Sequence, residues 1–324
     1  MAAAKDPSNL PSLIVIVGPT ASGKSHLAAE LGAALPGEVI SADSVQVYRG
    51  FDIGAGKPSE KELSRCPHHL IDIRDPLEPL EAAQFAEAAT EKIDEIIRRG
   101  KAPIICGGTF LWIRALLFGL AEAPPADQKI RERHRRLVAE EGRPALHSAL
   151  AQVDAPSAAR LHPNDFIRVS RALEVFEIAG RPLSEIQKEH GFREPKYRYR
   201  LLQLAWERSA YETRLRQRIQ GMLDAGLEAE VEGLLAQGYG ESRAMQAIGY
   251  KQMYHSLLGK EHQDSPSTTE SQKTILDQIV QVTRVFARRQ RTWLRDEEVI
   301  DVPAALLDDS SARQALIKEL QEWF

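Results

Sequence analysis

The sequence is poor in cysteine and has no long apolar run. Its two cysteines, Cys66 and Cys106, lie far apart and have no cluster of metal-ligating neighbours, which argues against a disulfide framework and a zinc site and fits a reducing compartment. The apolar run Leu13–Val17 is too short to cross a bilayer, and no basic start with a signal-type apolar core precedes it. We therefore expect a cytoplasmic protein with no membrane association.

The sequence also has no large excess of charge of either sign. The net charge of −4 is mild, so the global balance does not predict a nucleic-acid partner, and any such partner must be recognised by local basic faces. An apolar content of 43% is ordinary for a globular chain that buries a full core. The length of 324 residues allows one large domain or two moderate ones.

The first third of the chain alternates strand and helix patterns. Buried strands are predicted at Leu13–Val17, at 38–41 and at 102–106, because these runs are apolar and rich in β-branched residues. Helices are predicted from Lys24 onward and at 81–99. This alternation predicts an α/β fold with a parallel sheet covered by helices on both faces.

The pattern changes after Gly119. Pro124-Pro125 marks a break, and the periodic stretches from Asp127 to about Arg193 are helical, with Asn164 or Asp165 suited to an N-cap. Leu201–Ala205 predicts a return to the sheet, followed by helices at about 210–237, 245–258 and 269–294. We predict an α/β core formed by residues 1–120 together with 198–324, interrupted by an all-helical insertion of residues 121–197.

A phosphate-binding motif follows the first strand. It fits G-x-x-x-x-G-K-[ST] and consists of Gly18, Pro19, Thr20, Ala21, Ser22, Gly23, Lys24 and Ser25, here called the phosphate loop. Glycines let backbone N–H groups surround an anion at a helix N-terminus, the lysine adds a cation, and the serine hydroxyl suits Mg²⁺. Kinases, other nucleotide hydrolases and diphosphate-using transferases share this loop, so it predicts a fold of the P-loop NTPase type without identifying the reaction.

An acidic residue, Asp43, follows the second predicted strand. Open α/β sheets bind ligands at the carboxyl ends of their strands, where this carboxylate would hold Mg²⁺ or accept a proton. The alternative is an aspartate that only caps the following turn.

The sequence resembles the tRNA dimethylallyltransferase family. The matching segments keep their order from about residue 13 to 296, and they are GPTASGKS at 18–25, ISADSVQVYRGFDIG at 40–54, HHLIDI at 68–73, GGT at 107–109, HPND at 162–165, RVSRALEV at 168–175, AIGYKQ at 247–252 and TRVFARRQRTWLR at 283–295. The resemblance implies transfer of a dimethylallyl group from dimethylallyl diphosphate to N6 of the adenosine immediately 3′ of the tRNA anticodon. No cysteines are available for the zinc finger of eukaryotic relatives, so a bacterial-type enzyme is expected, acting as a monomer.

The resemblance assigns the chemistry to few side chains. Asp43 would remove the proton of the amine, and the phosphate loop with Lys24 and a Mg²⁺ held by Ser25 would neutralise the leaving diphosphate. Thr109 would touch the bridging oxygen; alternatively it only caps a helix. Arg214 and Arg218 would bind the diphosphate from one helix face, the competing interpretation being a solvated face.

The resemblance also implies contacts with the tRNA anticodon stem-loop. Arg284, Arg288, Arg291 and Arg295 share one helix face with no acid between 284 and 295, which suggests phosphate contacts. Arg168 and Arg171 match a family segment that contacts tRNA, whereas Ile167 replaces a common glutamine. Asp43, Ser44, Val45 and Gln46 match the segment lining a flipped-base channel, where Gln46 would read an adenine edge. Trp293 is expected in the core, and the basic run 129–136 fits either an RNA clamp or a solvated helix.

Three other functions fit part of these observations. A free-adenylate isopentenyltransferase acting on AMP, ADP or ATP shares the phosphate loop and the acid, and a small-molecule kinase shares the loop. A non-catalytic RNA-binding protein would have no use for Lys24, Ser25, Asp43 and Thr109 together. The tRNA enzyme is favoured, because a kinase has no use for the arginine-rich helix. The insertion with Arg168 and Arg171 favours RNA over a free adenylate without excluding the latter.

Overall fold

A parallel six-stranded sheet forms the centre of the fold. The computed structural model describes residues 10–191, 194–260, 268–295, 297–307 and 309–324. In these residues the strands are β1 (Ser12–Val17), β2 (Gly37–Ala42), β3 (His68–His69), β4 (Ala102–Gly107), β5 (Arg198–Ala205) and β6 (Ile300–Pro303). Their order across the sheet is β3-β2-β4-β1-β5-β6, and every pairing is parallel. The predicted parallel α/β architecture is confirmed.

Helices connect and follow these strands. Within the described residues they are α1 (Lys24–Ala34), α2 (Glu60–Leu63), α3 (Ala82–Arg98), α4 (Phe110–Phe118), α5 (Gln128–Glu141), α6 (Arg143–Val153), α7 (Ala155–Arg160), α8 (Phe166–Ala179), α9 (Leu183–His190), α10 (Arg208–Asp224), α11 (Leu227–Ala236), α12 (Tyr250–Lys260), α13 (Thr268–Leu294) and α14 (Ser310–Trp323). None of the described helices is long and apolar enough to cross a membrane.

The sheet is buried on both faces. Successive residues of β1, Leu13–Val17, have no exposed surface although their side chains alternate between faces, so helices cover both sides. One core cluster joins alternate residues of β1, β4 and β5 to α1 and α14, including Ile14, Ile104, Leu202, Leu27 and Leu320. This explains why the strands appear in the sequence as continuous apolar runs.

The chain divides into two compact units. One contains the described residues of Met1–Leu117 and Lys196–Phe324, and the other is Phe118–Pro195. The second unit holds α5 to α9 around a core of Leu146, Leu150, Ala158, Val169, Ala172 and Leu173. The insertion predicted from sequence spans 121–197, a few residues away from these limits.

Two helix predictions were wrong in detail. The single helix predicted at about 210–237 is two helices, α10 and α11, because Gly226 between them adopts a left-handed φ of 99°. The helix predicted at 245–258 begins as a short 3₁₀ turn at Ala244–Gln246, and α12 starts only at Tyr250. At the N-terminus of α8, Asp165 is the capping residue, since its side chain accepts from Arg168 N.

Candidate active site

A cavity of about 540 Å³ opens beside the phosphate loop, within the first unit. The sheet order places the ends of β1, β4 and β2 side by side, so the segments that follow these strands meet at one edge. We call this space the central cavity. Predicted site residues that line it are Thr20, Ala21, Gly23, Lys24, Ser25, Asp43, Ser44, Val45, Gln46, Thr109, Arg214 and Arg218.

The phosphate loop has the backbone that an anion site requires. Gly23, at the N-terminus of α1, is left-handed with φ 95°, and Gly18 has φ 136°. Lys24 Nζ donates to the loop carbonyl of Pro19 over 2.9 Å. Burial lowers the pKa of Lys24, although the nearby Cys106 and Asp43 oppose the shift. A diphosphate entering the loop would favour the charged ammonium.

Asp43 caps a turn and also faces the cavity. Its Oδ1 accepts from Val45 N over 2.9 Å and from Gln46 N over 3.3 Å. In the described part of the chain, Oδ2 accepts no hydrogen bond, so one oxygen holds the turn and the other is available. The two interpretations of Asp43 are therefore compatible, because one carboxylate serves both.

Thr109, just after β4, is hydrogen-bonded to the segment 43–46 that follows β2, here called the Asp43 loop. The register pairs Ala42 with Gly107, which brings the two following segments together. Thr109 Oγ1 accepts from Ser44 N over 3.0 Å and donates to Ser44 Oγ over 3.3 Å. Thr109 directly precedes α4, yet its hydroxyl is directed at the Asp43 loop.

Arg214 and Arg218 occupy one face of α10 and both line the central cavity. Arg214 Nε donates to Ala21 O over 2.8 Å, and its guanidinium lies 5.0 Å from the Trp206 ring. Arg218 Nε is buried without a hydrogen-bond partner among the described residues. Burial lowers the pKa of Arg218, an effect that the Asp43 carboxylate opposes. Two partly buried guanidiniums facing an anion loop fit a diphosphate better than a solvated face.

The donor atoms near the loop suit a hard cation that also contacts substrate. Ser25 and Asp43 both line the cavity and offer a hydroxyl and a carboxylate oxygen. Mg²⁺ in proteins commonly takes one or two such ligands and completes its shell with phosphate oxygens and water. No group of three or more acidic, histidine or cysteine side chains suited to a metal occurs among the described residues. The site therefore fits Mg²⁺ bound jointly with a diphosphate.

The amide of Gln46 is hydrogen-bonded within the protein, and its reading of an adenine edge stays a prediction. Its Oε1 accepts from Ser41 Oγ over 2.8 Å, while Nε2 donates to Ala55 O and Gly56 O over 3.3 and 3.0 Å. Donor and acceptor are thus both used within the protein, and only 8% of the residue is exposed. Gln46 holds the loop after Phe51 in place, so its Nε2 could donate to a base only by exchanging these hydrogen bonds.

The arginine-rich face of α13 is partly neutralised. Arg284 forms an ion pair of 2.7 Å with Glu212 of α10, and the Arg291 guanidinium lies 5.5 Å from the Tyr211 ring. No acid lies between 284 and 295, but α10 supplies one from a distant part of the sequence, and contact of this face with tRNA stays a prediction. Arg288 is exposed, and no carboxylate partner for it occurs among the described residues.

A different face of α13 reaches the central cavity. Phe286, Arg289 and Gln290 line it, although none was predicted to contribute. Trp293 stacks on Phe110 with ring centroids 4.3 Å apart, as expected for a core residue. The helical period indicates this second face, but the sequence does not show which face meets the sheet.

In the second unit, the predicted tRNA contacts differ in their availability. The side chain of Arg168 is 71% exposed and pairs with Asp165 of the same helix turn. Arg171 donates to the fully buried Glu174 over 2.6 Å and to Pro124 O over 2.6 Å, which indicates a structural role. Ile167, between these segments, is 79% exposed.

The basic residues of α5 also fall into two groups, those paired with acids and those exposed. Arg131 pairs with Glu174 over 3.0 Å and Arg133 with Glu177, both on α8. Lys129, Arg135 and Arg136 are exposed. For these three residues both interpretations, RNA contact and a solvated helix face, remain open.

One wall of the central cavity depends on a carboxylate that the sequence did not reveal. Glu230 of α11 accepts from three consecutive backbone N–H groups, those of Asp52, Ile53 and Gly54, over 3.2, 2.7 and 3.2 Å. It also accepts from Tyr250 Oη over 2.6 Å, and this hydroxyl in turn accepts from Ala55 N. Burial, together with Glu230, raises the pKa of Tyr250. The segment 52–55 was matched only as part of a motif, with no sign of its partners.

Comparison with known proteins identifies the family. A family model described as IPP transferase matches residues 46–297. A tRNA dimethylallyltransferase of Sorangium cellulosum is 50% identical over 287 residues, covering 89% of this chain and 88% of that protein. A second, from Geobacter sulfurreducens, is 46% identical over 289 residues, covering 89% of this chain and 90% of that protein.

Solved structures agree with these relatives. A tRNA isopentenylpyrophosphate transferase of Staphylococcus epidermidis is 35% identical with a TM-score of 0.66, covering 97% of this chain and 98% of its own. A eukaryotic dimethylallyltransferase, solved acting on tRNA, is 26% identical with a TM-score of 0.79, covering 97% of this chain and 79% of its own. The chain therefore belongs to the IPP transferase family, that of the tRNA dimethylallyltransferases.

Proposed function

We propose that this protein transfers a dimethylallyl group from dimethylallyl diphosphate to N6 of the adenosine immediately 3′ of the anticodon in tRNA. The main support is that one cavity contains the phosphate loop with its lysine, two arginines and a carboxylate with one oxygen that accepts no hydrogen bond from the described residues. The loop and the arginines suit the diphosphate, and the carboxylate suits the amine. Family membership supplies the RNA acceptor.

The reaction replaces the bond between C1 of the dimethylallyl group and oxygen by a bond between C1 and N6. The N6 lone pair attacks C1 of the dimethylallyl group, the bond from C1 to the diphosphate oxygen breaks, and N6 loses a proton. Asp43 Oδ2 would take that proton, which is supported by Oδ1 being held by the turn amides while Oδ2 accepts no hydrogen bond from the described residues. The diphosphate leaves with the electron pair of the broken bond, onto the loop N–H groups, Lys24 and Arg218.

Two further contributions concern the leaving group. Mg²⁺ bound by Ser25 together with diphosphate oxygens would supply additional charge neutralisation for the leaving group. Thr109 Oγ1 carries one hydrogen, which it now directs to Ser44 Oγ over a long 3.3 Å. Redirecting that hydrogen would give the bridging oxygen a hydroxyl donor as its negative charge develops.

The acceptor must leave its stack to reach the cavity. An anticodon-loop adenine is single-stranded, so flipping it costs only a few kcal/mol. We assign phosphate contacts of the tRNA to Arg288 and to Arg168, which is 71% exposed although it pairs with Asp165. Weaker contacts are assigned to Arg284, Arg291 and Arg171, whose partners lie on other elements or are buried. Contacts by the insertion and action as a monomer are part of the same proposal.

Mass spectrometry tests the function directly. An unmodified tRNA with an A-rich stretch after its anticodon is incubated with the protein, Mg²⁺ and dimethylallyl diphosphate, and nuclease fragments are analysed. Gain of one prenyl unit on the adenosine next to the anticodon is the expected result. Gain on AMP or ATP with none on tRNA would instead identify a free-adenylate enzyme.

The variant Asp43→Asn tests the assigned base. Asparagine keeps an oxygen for the turn amides but cannot take the proton, so we expect turnover to fall by about 10²–10⁴ while tRNA affinity is unchanged. Asp224→Asn, at the exposed end of α10, is the matched control. Wild-type turnover in Asp43→Asn would refute this role.

A further inference from the structure

The carbonyl groups of the phosphate loop are fixed from outside by side chains. Three consecutive carbonyls each accept one hydrogen bond of 2.8 Å: Thr20 O from Tyr211 Oη, Ala21 O from Arg214 Nε and Ser22 O from Trp206 Nε1. All three donors come from the junction of β5 and α10. Thr20 N and Ser22 N are already bonded, to Gln290 and to Pro19 O. With the three carbonyls directed outward, the remaining N–H groups of the loop can face an anion.

These hydrogen bonds surround a strained residue. Ala21 has a φ of 68°, in the left-handed region, and is the non-glycine residue of the loop with this conformation. Such a conformation costs an L-residue free energy and persists only where its surroundings over-determine it. The carbonyl of Ala21 and those on either side of it are the three that are held. The side-chain donors therefore hold the part of the loop whose left-handed conformation would otherwise relax.

The opposite side of Thr20 is held by α13. Gln290, 4% exposed, accepts from Thr20 N over 3.2 Å and donates to Gly108 O over 3.1 Å. A side chain on Gly108 has no room, since a Cβ there would lie 2.5 Å from Gln290 Nε2. The phosphate loop and the turn that carries Thr109 are thus joined through one buried amide.

We propose that Tyr211 and Trp206 are positioning residues that impose the anion-binding conformation on the phosphate loop. The inference rests on the proposed function only in naming a prenyl diphosphate as the natural anion. Neither aromatic needs to touch that anion, because each acts through a backbone carbonyl. Burial raises the pKa of Tyr211 to about 12, so its hydroxyl remains a donor throughout the neutral range.

Two variants each remove one of these hydrogen bonds, Tyr211→Phe near-isosterically and Trp206→Phe with a smaller ring. Tyr211→Phe removes one hydroxyl, and Trp206→Phe removes the indole N–H while leaving an aromatic surface for Arg214. We expect each to weaken binding of pyrophosphate with Mg²⁺ by about three- to tenfold in calorimetry, the worth of one hydrogen bond. The KM for dimethylallyl diphosphate should rise similarly, while tRNA affinity stays at the wild-type value.

Control variants on α10 and α13, the helices that contact the phosphate loop, separate this effect from general destabilisation. Thr213→Ala on α10 and Thr292→Ala on α13 each remove an exposed hydroxyl that bonds only to its own helix. Both should bind pyrophosphate within twofold of wild type. Thermal unfolding of all variants shows whether the fold is retained, and Trp206→Phe provides an independent test if Tyr211→Phe unfolds.

Ala21→Gly supplies a readout that a merely structural role would not change. Glycine adopts positive φ without the steric cost, so the loop then needs less external support. The loss caused by Tyr211→Phe should be smaller in the Ala21→Gly background than in wild type. An equal loss in both backgrounds, or wild-type pyrophosphate binding by Tyr211→Phe, would overturn the inference. Failure of wild type to modify tRNA, with these affinity changes present, would instead count against the proposed function alone.

Discussion

Glu38, at the start of β2, offers a quantitative test of how the sheet edge is stabilised. The residue is 2% exposed, and its carboxylate receives Arg99 over 2.7 Å, Lys101 over 3.1 Å and His69 over 2.6 Å. Burial alone would raise the pKa of Glu38, but these partners hold it at about 2 instead of its ordinary 4.5. Since one pKa unit equals about 1.4 kcal/mol, ionised Glu38 contributes about 3 kcal/mol to folding at pH 7.

The sign of the pH dependence follows from the lowered pKa. Below pH 4.5 the unfolded chain binds a proton at Glu38 while the folded chain resists it, so this stability is lost as the pH falls from 4.5 to about 2. About 2.5 kcal/mol remains at pH 4 and about 1.5 kcal/mol at pH 3. Glu38→Gln should therefore unfold more easily by about 3 kcal/mol at pH 7, and the gap to wild type should halve by pH 3.

Tryptophan fluorescence during urea unfolding is the suitable assay. Every tryptophan lies in the first unit, so the signal is specific to it; they are Trp112, Trp206, Trp293 and Trp323. Glu319→Gln, which breaks the exposed pair with Arg200, should cost less than about 1 kcal/mol and serves as control. A gap between wild type and Glu38→Gln that stays constant from pH 7 to pH 3 would refute the reasoning.

Further predictions concern binding and dynamics. Arg288→Ala should weaken tRNA binding and reduce the slope of log K against log salt by about 0.7–0.9, because it loses one phosphate contact; Arg284→Ala, whose cation already pairs with Glu212, should change the slope less. Glu230→Gln should speed hydrogen exchange at the amides of residues 52–54 by about tenfold, measured by mass spectrometry, since a charged acceptor becomes neutral; unchanged exchange would mean that the loop is held by other contacts. Removing Mg²⁺ with EDTA should abolish prenyl transfer and adding it back should restore turnover; transfer that persists in EDTA would contradict the role given to Ser25.

Much of the fold was predictable because its signals are local. Strands β1, β2, β4 and β5 are apolar runs, mostly bounded by glycine or polar turns, and the phosphate loop has a fixed spacing between strand and helix. The strands that were missed, β3 and β6, contain two and four residues. Such short strands exist only because a neighbouring strand offers its edge, so they have no periodicity of their own.

The predicted site residues were those defined by a motif. Lys24, Asp43 and Thr109 follow neighbouring strands and line the central cavity, a location that the residues adjacent in sequence determine; their roles stay predictions. Tyr211 was not predicted to contribute, although its hydroxyl donates to Thr20 O. A single tyrosine on a helix has no pattern that distinguishes a loop donor from an ordinary core residue.

The sequence does not show which polar side chains are free to meet a substrate, because that depends on their partners in the folded protein. Gln46 and Arg284 have the right chemistry for a base edge and a phosphate, yet Ala55, Gly56 and Glu212 already occupy them. A buried donor or acceptor costs about 1–3 kcal/mol if left unpaired, so folding recruits any partner within reach. Because Glu212 lies on a different helix, its pairing with Arg284 cannot be inferred from charge pattern along one helix. Absence of acid within a basic helix is therefore evidence for RNA binding only where neighbouring helices also lack it.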